Sequence, residues 1–135
     1  MKGGLAGRLF TCQYLGMAME LNTFLQRLNA SPDSITFTDT IAVIDALYDF
    51  TPTAFKNANL LNEANKNNGS CKLFTFARLH NLSPQQTLHC FGDYYRKDVL
   101  LNPGGTNHQN IRNFIATGWA GIELEGNALT AKTKP

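Results

Sequence analysis

Between Asn67 and Leu124 the chain starts a helix several times and stops it each time. Apolar residues recur at helical spacing through Leu73, Phe74 and Ala77, then Leu88, Phe91 and Tyr95, then Ile111, Phe114 and Ile115. These runs are separated by Asn67-Asn68-Gly69, Ser83-Pro84, Pro103-Gly104-Gly105 and Gly118, residues that bend or end regular backbone. The stretch therefore reads as a series of short helices. It also holds all three histidines, the only tryptophan, and two of the three cysteines, so functional candidates concentrate there.

The helix boundaries have local signals. Ser83 is placed to cap a helix with Pro84 at its first position and Gln86 completing a capping box; the pattern carries on to about Lys97. Thr106 and Gln109 read as a second box, opening a helix that buries Ile111, Phe114 and Ile115 and stops at Gly118. A helix from near Ser70 to about His80 buries Leu73, Phe74, Phe76 and Ala77. Upstream, Leu21, Phe24, Leu25 and Leu28 share one face of a helix over about 20–28, ended by Ser31-Pro32. Thr38 reads as the N-cap of a helix over about 39–48, with Asp39 at its positive end and Ile41, Ile44, Leu47 and Tyr48 on its stripe. The Asn-rich segment 55–64 reads as a loop or a short edge strand, and Ile122 to Glu125 alternates like a half-exposed strand. The expectation is a predominantly α-helical α+β domain of about five helices, with a small two-stranded β element from the Phe55 region and Ile122 to Leu124.

Charge excludes some functions. The formal net charge is +2, and Lys2 and Arg8 account for it; from Met17 onward acids and bases balance. Between Leu28 and Phe55 stand Asp33, Asp39, Asp45 and Asp49 with no Lys or Arg. No basic block is present to neutralise a phosphate backbone, so nucleic acid is not an expected partner. Cys12, Cys71 and Cys90 form no CxxC pair, which argues for a reducing compartment rather than a disulfide framework or zinc knuckle. Residues 1–18 contain two bases, no acid and an apolar run from Leu9 to Met19 that is too short and polar for a membrane span. They read as an extension upstream of a single domain over about 19–130, with 131–135 a polar tail and Met17 or Met19 as the start; a segment docked on the domain and a signal or targeting peptide are the weaker alternatives.

The blocks ITFTDTIAVIDALYDFTPTAFKNA, GSCKLFTFARLHNL, QQTLHCFGDYYRKDVL and GTNHQNIRNFIATGWAGIELEG occur in that order. On them the chain, from about Leu21 to Leu129, resembles the HopJ type III effector family of small bacterial proteins. The resemblance implies a small non-enzymatic protein with a protein partner, and it brings no catalytic motif. It also implies delivery through a type III system. Secretion signals of that kind are flexible and Ser-rich, whereas the first thirty residues here hold no Ser and no Pro, so a cytoplasmic location is the first expectation.

Four chemical readings of the residues remain. Cys71 stands in the first turn of an expected helix beside Lys72, where the helix dipole and the ammonium would both favour a thiolate. With His108 as base, and Asp93 or Asn110 to orient it, it would make a thiol hydrolase; the plain alternative is a small packing residue and a polar helix-start residue. His80 and His89, nine apart across a cap and a proline, show no metal-binding spacing, so no metal and no cofactor are expected. Ser70-Cys71-Lys72 and Thr106-Asn107-His108 each offer free amides at a helix start for an anion, with Arg78, Arg96 and Arg112 in the same block. Finally, Tyr94 and Tyr95 cannot both point inward with Phe91. One of them is expected to line a groove with Asp93 or Arg96, and Tyr94, Tyr95, Arg96 and Trp119 are the candidate partner-binding residues.

Overall fold

The computed structural model describes residue 16 and residues 20–132. Nearly all of the N-terminal extension, Cys12 included, and residues 133–135 of the tail lie outside the described residues. Helix α1 covers residues 20–30 and buries Phe24 and Leu28, with Leu21 and Leu25 packed at the edge of the core. A 3-10 turn at Pro32–Ser34 leads to α2, Phe37–Leu47. Arg27 ties this junction from the α1 side, donating from Nε to Ser34 Oγ at 3.0 Å and pairing with Asp39 Oδ2 at 3.0 Å. The cap of α2 is Thr36 rather than Thr38: the Asp39 amide donates to Thr36 Oγ1, and the Thr36 amide donates to Asp39 Oδ2. A capping box needs its members three positions apart, and Asp39 selects Thr36 as its partner.

The chain leaves α2 straight into β1, Tyr48–Phe50, which pairs antiparallel with β5, Leu129–Ala131. A second sheet has β2, Phe55–Asn57, at its centre between β3, Leu60–Asn62, and β4, Ile122–Leu124. The class is the expected one, helix-dominated α+β, and the Phe55 region does pair with Ile122 to Leu124: Phe55 faces Leu124 and Asn57 faces Ile122. The Asn-rich segment 55–64, read as a loop or a short edge strand, forms the whole β2–β3 hairpin, whose turn holds Ala58 at positive φ.

Helix α3, Asn68–Leu79, runs through the middle of the core and buries Cys71, Leu73, Phe74, Thr75, Phe76 and Ala77. Phe74 is its hub, meeting the rings of Phe55, Phe91, Phe114 and Trp119 at centroid distances of 5.1 to 6.3 Å. Such a side chain is fixed from several elements at once, which is how a small core gains a single packing.

Helix α4, Pro84–His89, begins with the expected box: the Gln86 amide donates to Ser83 Oγ at 3.1 Å, and the Ser83 amide donates to Gln86 Oε1 at 2.9 Å. It ends at His89, not near Lys97. Gly92 interrupts it at φ +65, and a Cβ there would lie 2.6 Å from the backbone nitrogen of Phe37. The close pass of the α2 start forces both the glycine and the break. The chain resumes as a π-helical turn, Tyr94–Val99. Helix α5, Gln109–Thr117, lacks the expected Thr106–Gln109 box: its N-cap is His108 at φ 52, with no capping side chain, and Gln109 donates to Asn113 Oδ1 instead. Ile111 and Phe114 are buried as expected, but Ile115 is 47% exposed. After Gly118 the chain turns back, and Trp119 lies half-buried over Phe74 and Phe114, its Nε1 donating to the Leu82 carbonyl at 3.0 Å. Among the described residues no helix is long and apolar enough to cross a membrane.

Candidate functional site

The β2–β3 hairpin carries asparagines that fix two helix starts. Asn57 Nδ2 donates to the carbonyl and the Oδ1 of Asn110 at 2.8 and 3.0 Å. Asn62 and Asn110 exchange side-chain amide bonds of 3.1 and 2.9 Å. Asn67 Nδ2 donates to Asn62 Oδ1 at 2.6 Å. Asn113 Nδ2 reaches the Asn57 carbonyl at 3.1 Å. Asn57, Asn62 and Asn110 are buried, so in this low-dielectric setting each of these bonds matters for position. The network holds the first turns of α3 and α5 against one hairpin.

Both first turns border one cleft of about 470 Å³. Asn67, Gly69 and Ser70 line it from α3, and His108, Gln109, Asn110 and Ile111 from α5. Phe37, Phe91, Tyr94 and Leu60 supply its apolar walls. The N-caps Asn67 and His108 both have left-handed backbone, φ 55 and 52, and neither helix start receives a capping side chain. Asn67 has spent its amide on Asn62. By contrast, α2 and α4 are each closed by a full capping box. The Gly69 and Ser70 amides of α3 and the Gln109 and Asn110 amides of α5 are thus left as the orphan donors of a helix start, with the positive end of the macrodipole, while the Ile111 amide donates to the His108 carbonyl.

The aromatic wall is built from two elements. Phe37 stacks on Phe91 at 6.2 Å and meets Tyr94 at 5.3 Å. Gly69 makes this possible, because a Cβ there would stand 2.8 Å from the Phe37 ring. Tyr94 also lies 5.0 Å from the His108 ring, 30° from parallel. A shallower notch of about 160 Å³, lined by Thr36, Thr38 and Asp93, lies along the same wall of Phe37, Phe91 and Tyr94.

A family model for the HopJ type III effector protein matches residues 21–129. The chain belongs to the HopJ family. Among solved structures, the crystal structure of the unknown-function protein VPA0580 is similar at 57% identity and a TM-score of 0.82, covering 83% of this chain and 93% of that one. Nothing among curated proteins matches this chain. The HopJ match spans every element that builds the cleft, from α2 to α5, and names no reaction.

Within this HopJ fold the residues singled out from sequence fall in different places. The Cys71 side chain is fully buried, donates from Sγ to the Thr53 carbonyl at 3.3 Å, and is not among the cleft residues. Burial pushes its thiol above the ordinary value. Lys72 turns away to Asp45, 2.8 Å from its Oδ1. His108 does line the cleft, and its carboxylate partner is Asp98, at 3.0 Å from Nε2. Asp93 instead faces Arg96 and Lys97, and Asn110 belongs to the asparagine network. Burial also pushes the Cys90 thiol up, to about 12.

The four groove candidates separate as well. Tyr94 is 44% exposed and lines the cleft, while Tyr95 is buried, its hydroxyl taking a bond from Gln85. Arg96 turns inward to backbone carbonyls. Trp119 borders a separate notch with Arg78, Asn81 and Leu82, its ring 5.1 Å from the Arg78 guanidinium. His80 pairs with the Tyr48 hydroxyl at 2.7 Å, and no group of His, Cys, Asp or Glu among the described residues could hold a metal. Of the two helix starts read as anion sites, both reach the cleft; of the three arginines, none lines it. Sequence reasoning did not find Phe37, Leu60 or Asp98 as site residues. The density of asparagines over 57–68 was the available signal for the network.

Proposed function

We propose that the protein is a non-enzymatic HopJ family member that acts by binding a protein partner, and that the cleft between the α3 and α5 starts receives an acidic group of that partner beside an apolar one. The observation that supports this reading is the pairing, in one cleft, of two helix starts without capping side chains and an exposed aromatic wall. Helix starts bind carboxylates through free amides and the macrodipole. The walls of Phe37 and Tyr94 offer flat apolar area that costs little conformational entropy to use. A volume of about 470 Å³ suits a few side chains or a small organic acid. We propose a cytoplasmic location, and the effector name of the family supports delivery into a host cell as the alternative.

The rival reading, a hydrolase using Cys71 and His108 with Asp93, has weaker support. Its thiol is buried, its pKa is raised rather than lowered, His108 hydrogen-bonds Asp98, and Asp93 pairs with Arg96 and Lys97.

The test is capture of partners from the native cell by the wild type, by Tyr94→Ala, and by Leu101→Ala as a control at a 77% exposed site outside the cleft. Loss of the same partner with Tyr94→Ala alone supports the reading; identical partner sets for all three overturn it. A titration with an acidic peptide, followed by the amide resonances of Gly69, Ser70, Gln109 and Asn110, tests the chemistry directly. Unmoved amides at saturating peptide would rule out the acidic group.

A further inference from the structure

Behind the aromatic wall, Arg96 joins three segments. Its side chain is only 13% exposed. Nη1 donates to the carbonyls of Pro32 and His89, each at 3.2 Å, and Nη2 donates to the Ile35 carbonyl. One guanidinium thus fastens the turn that leads into α2, the end of α4, and the π-helical turn on which it sits. Ile35 precedes Phe37 by two residues, and Tyr94 precedes Arg96 by two. The clamp therefore sets how closely Phe37 and Tyr94, 5.3 Å apart, stand in the wall of the cleft.

The clamp has a titratable member. His89 Nδ1 lies 3.2 Å from Arg96 Nη1. Arg96 has only donors to offer, so His89 accepts through an unprotonated Nδ1, and a proton added there replaces a hydrogen bond by two facing cations. We propose that His89 is a pH-sensitive latch on this clamp: its protonation loosens the hold of Arg96 on residues 32–35 and lets Phe37 draw away from Tyr94, widening the cleft.

The other groups around His89 set the size of the effect. From the 3-10 turn, Asp33 Oδ1 stands 3.8 Å from Nδ1, but Asp33 is 85% exposed and its attraction is screened. From the π-helical turn, Tyr95 presents its ring at 5.6 Å, and Asp93 balances Arg96 at 3.8 Å. From α4 itself, Gln85 Nε2 meets His89 Nε2 at 3.2 Å. Burial first, and Arg96 next, hold the imidazole below its ordinary value, with Asp33 opposing them. The latch is thus closed at neutral pH and opens in acid.

The proposal concerns the cleft's shape and does not depend on what the cleft binds. It is tested on the full chain by following the amide resonances of Thr36, Phe37 and Tyr94, and the His89 ring carbon, from pH 7.5 to pH 4.5. The expected result is one shared midpoint for all four. His89→Asn keeps an acceptor near the Nδ1 position and cannot titrate, so the three amide shifts should vanish in it. Asp33→Asn leaves the latch intact and removes a charge that favours the proton, so the midpoint should move to lower pH. Persistence of the amide shifts in His89→Asn, or titration of His89 with Phe37 and Tyr94 unmoved, overturns the proposal.

Discussion

Asn110→Ala is the perturbation that most directly tests how the cleft is built. Asn110 is 7% exposed, and its side chain takes part in three bonds: it accepts from Asn57 and Asn62 and donates to Asn62. Truncation removes all three. Asn57 Nδ2 keeps its bond to the Asn110 backbone carbonyl, and Asn62 Oδ1 keeps its bond from Asn67. Asn62 Nδ2 is left with a marginal contact of 3.5 Å to the Leu60 carbonyl. Three buried bonds at roughly 1 kcal/mol each, with one donor left nearly orphaned, give a loss of about 3–4 kcal/mol. For a domain of this size that lowers the melting temperature by roughly 10–20 °C. Urea unfolding followed by far-ultraviolet circular dichroism measures it, with Asn62→Ala and the double variant completing a cycle. The double variant should lose much less than the sum of the singles, because the reciprocal pair is lost only once. A loss under about 1 kcal/mol for Asn110→Ala, or strict additivity, would refute the view that these buried bonds hold the network together.

Ser83→Ala opens the α4 box and should cost about 1 kcal/mol by urea unfolding; no change would mean the box contributes nothing to stability. Trp119→Ala loses a half-buried indole and its bond to Leu82, so roughly 3 kcal/mol is expected, against about 1 kcal/mol for Trp119→Phe, which keeps a ring; equal losses would show that the hydrogen bond, not the ring, matters. Cys71 should react with iodoacetamide at neutral pH much more slowly than a free thiol, as its burial requires; fast labelling that falls with His108→Ala would revive the hydrolase. Burial holds His80 and His89 below the ordinary imidazole value, so the unfolded chain takes up protons first. Their contribution to stability is full above about pH 6.5 and is lost as pH falls from there through the folded values. The urea midpoint should drop between pH 7.5 and pH 5 and drop less in His89→Asn; a flat profile would contradict both shifts.

Local chemistry wrote much of this fold into the sequence. The Ser83–Gln86 box, the buried face of α3 and the stop at Gly118 follow from short-range signals, and short-range signals are what a sequence displays. The pairing of the Phe55 region with Ile122 to Leu124 was legible from the alternation of Ile122 to Glu125 and a strand-capable segment at Phe55. Tertiary structure decided the rest. Helix α4 breaks at Gly92 because the backbone of Phe37 passes 2.6 Å from where a Cβ would stand, a neighbour more than fifty residues away in the chain. The expected box at Thr106 lost to a left-handed His108, because Asn110 had to meet Asn57 and Asn62 on the hairpin. Thr36, Asp39 and the glycines at 69 and 92 then bring Phe37 over the α3 start and into the wall of the cleft. Side chains of the right types in the right order determine which helices form. Which helix starts stay uncapped, and that two of them share one aromatic-walled cleft, depends on contacts between segments far apart in the chain, and those exist only once the chain has packed.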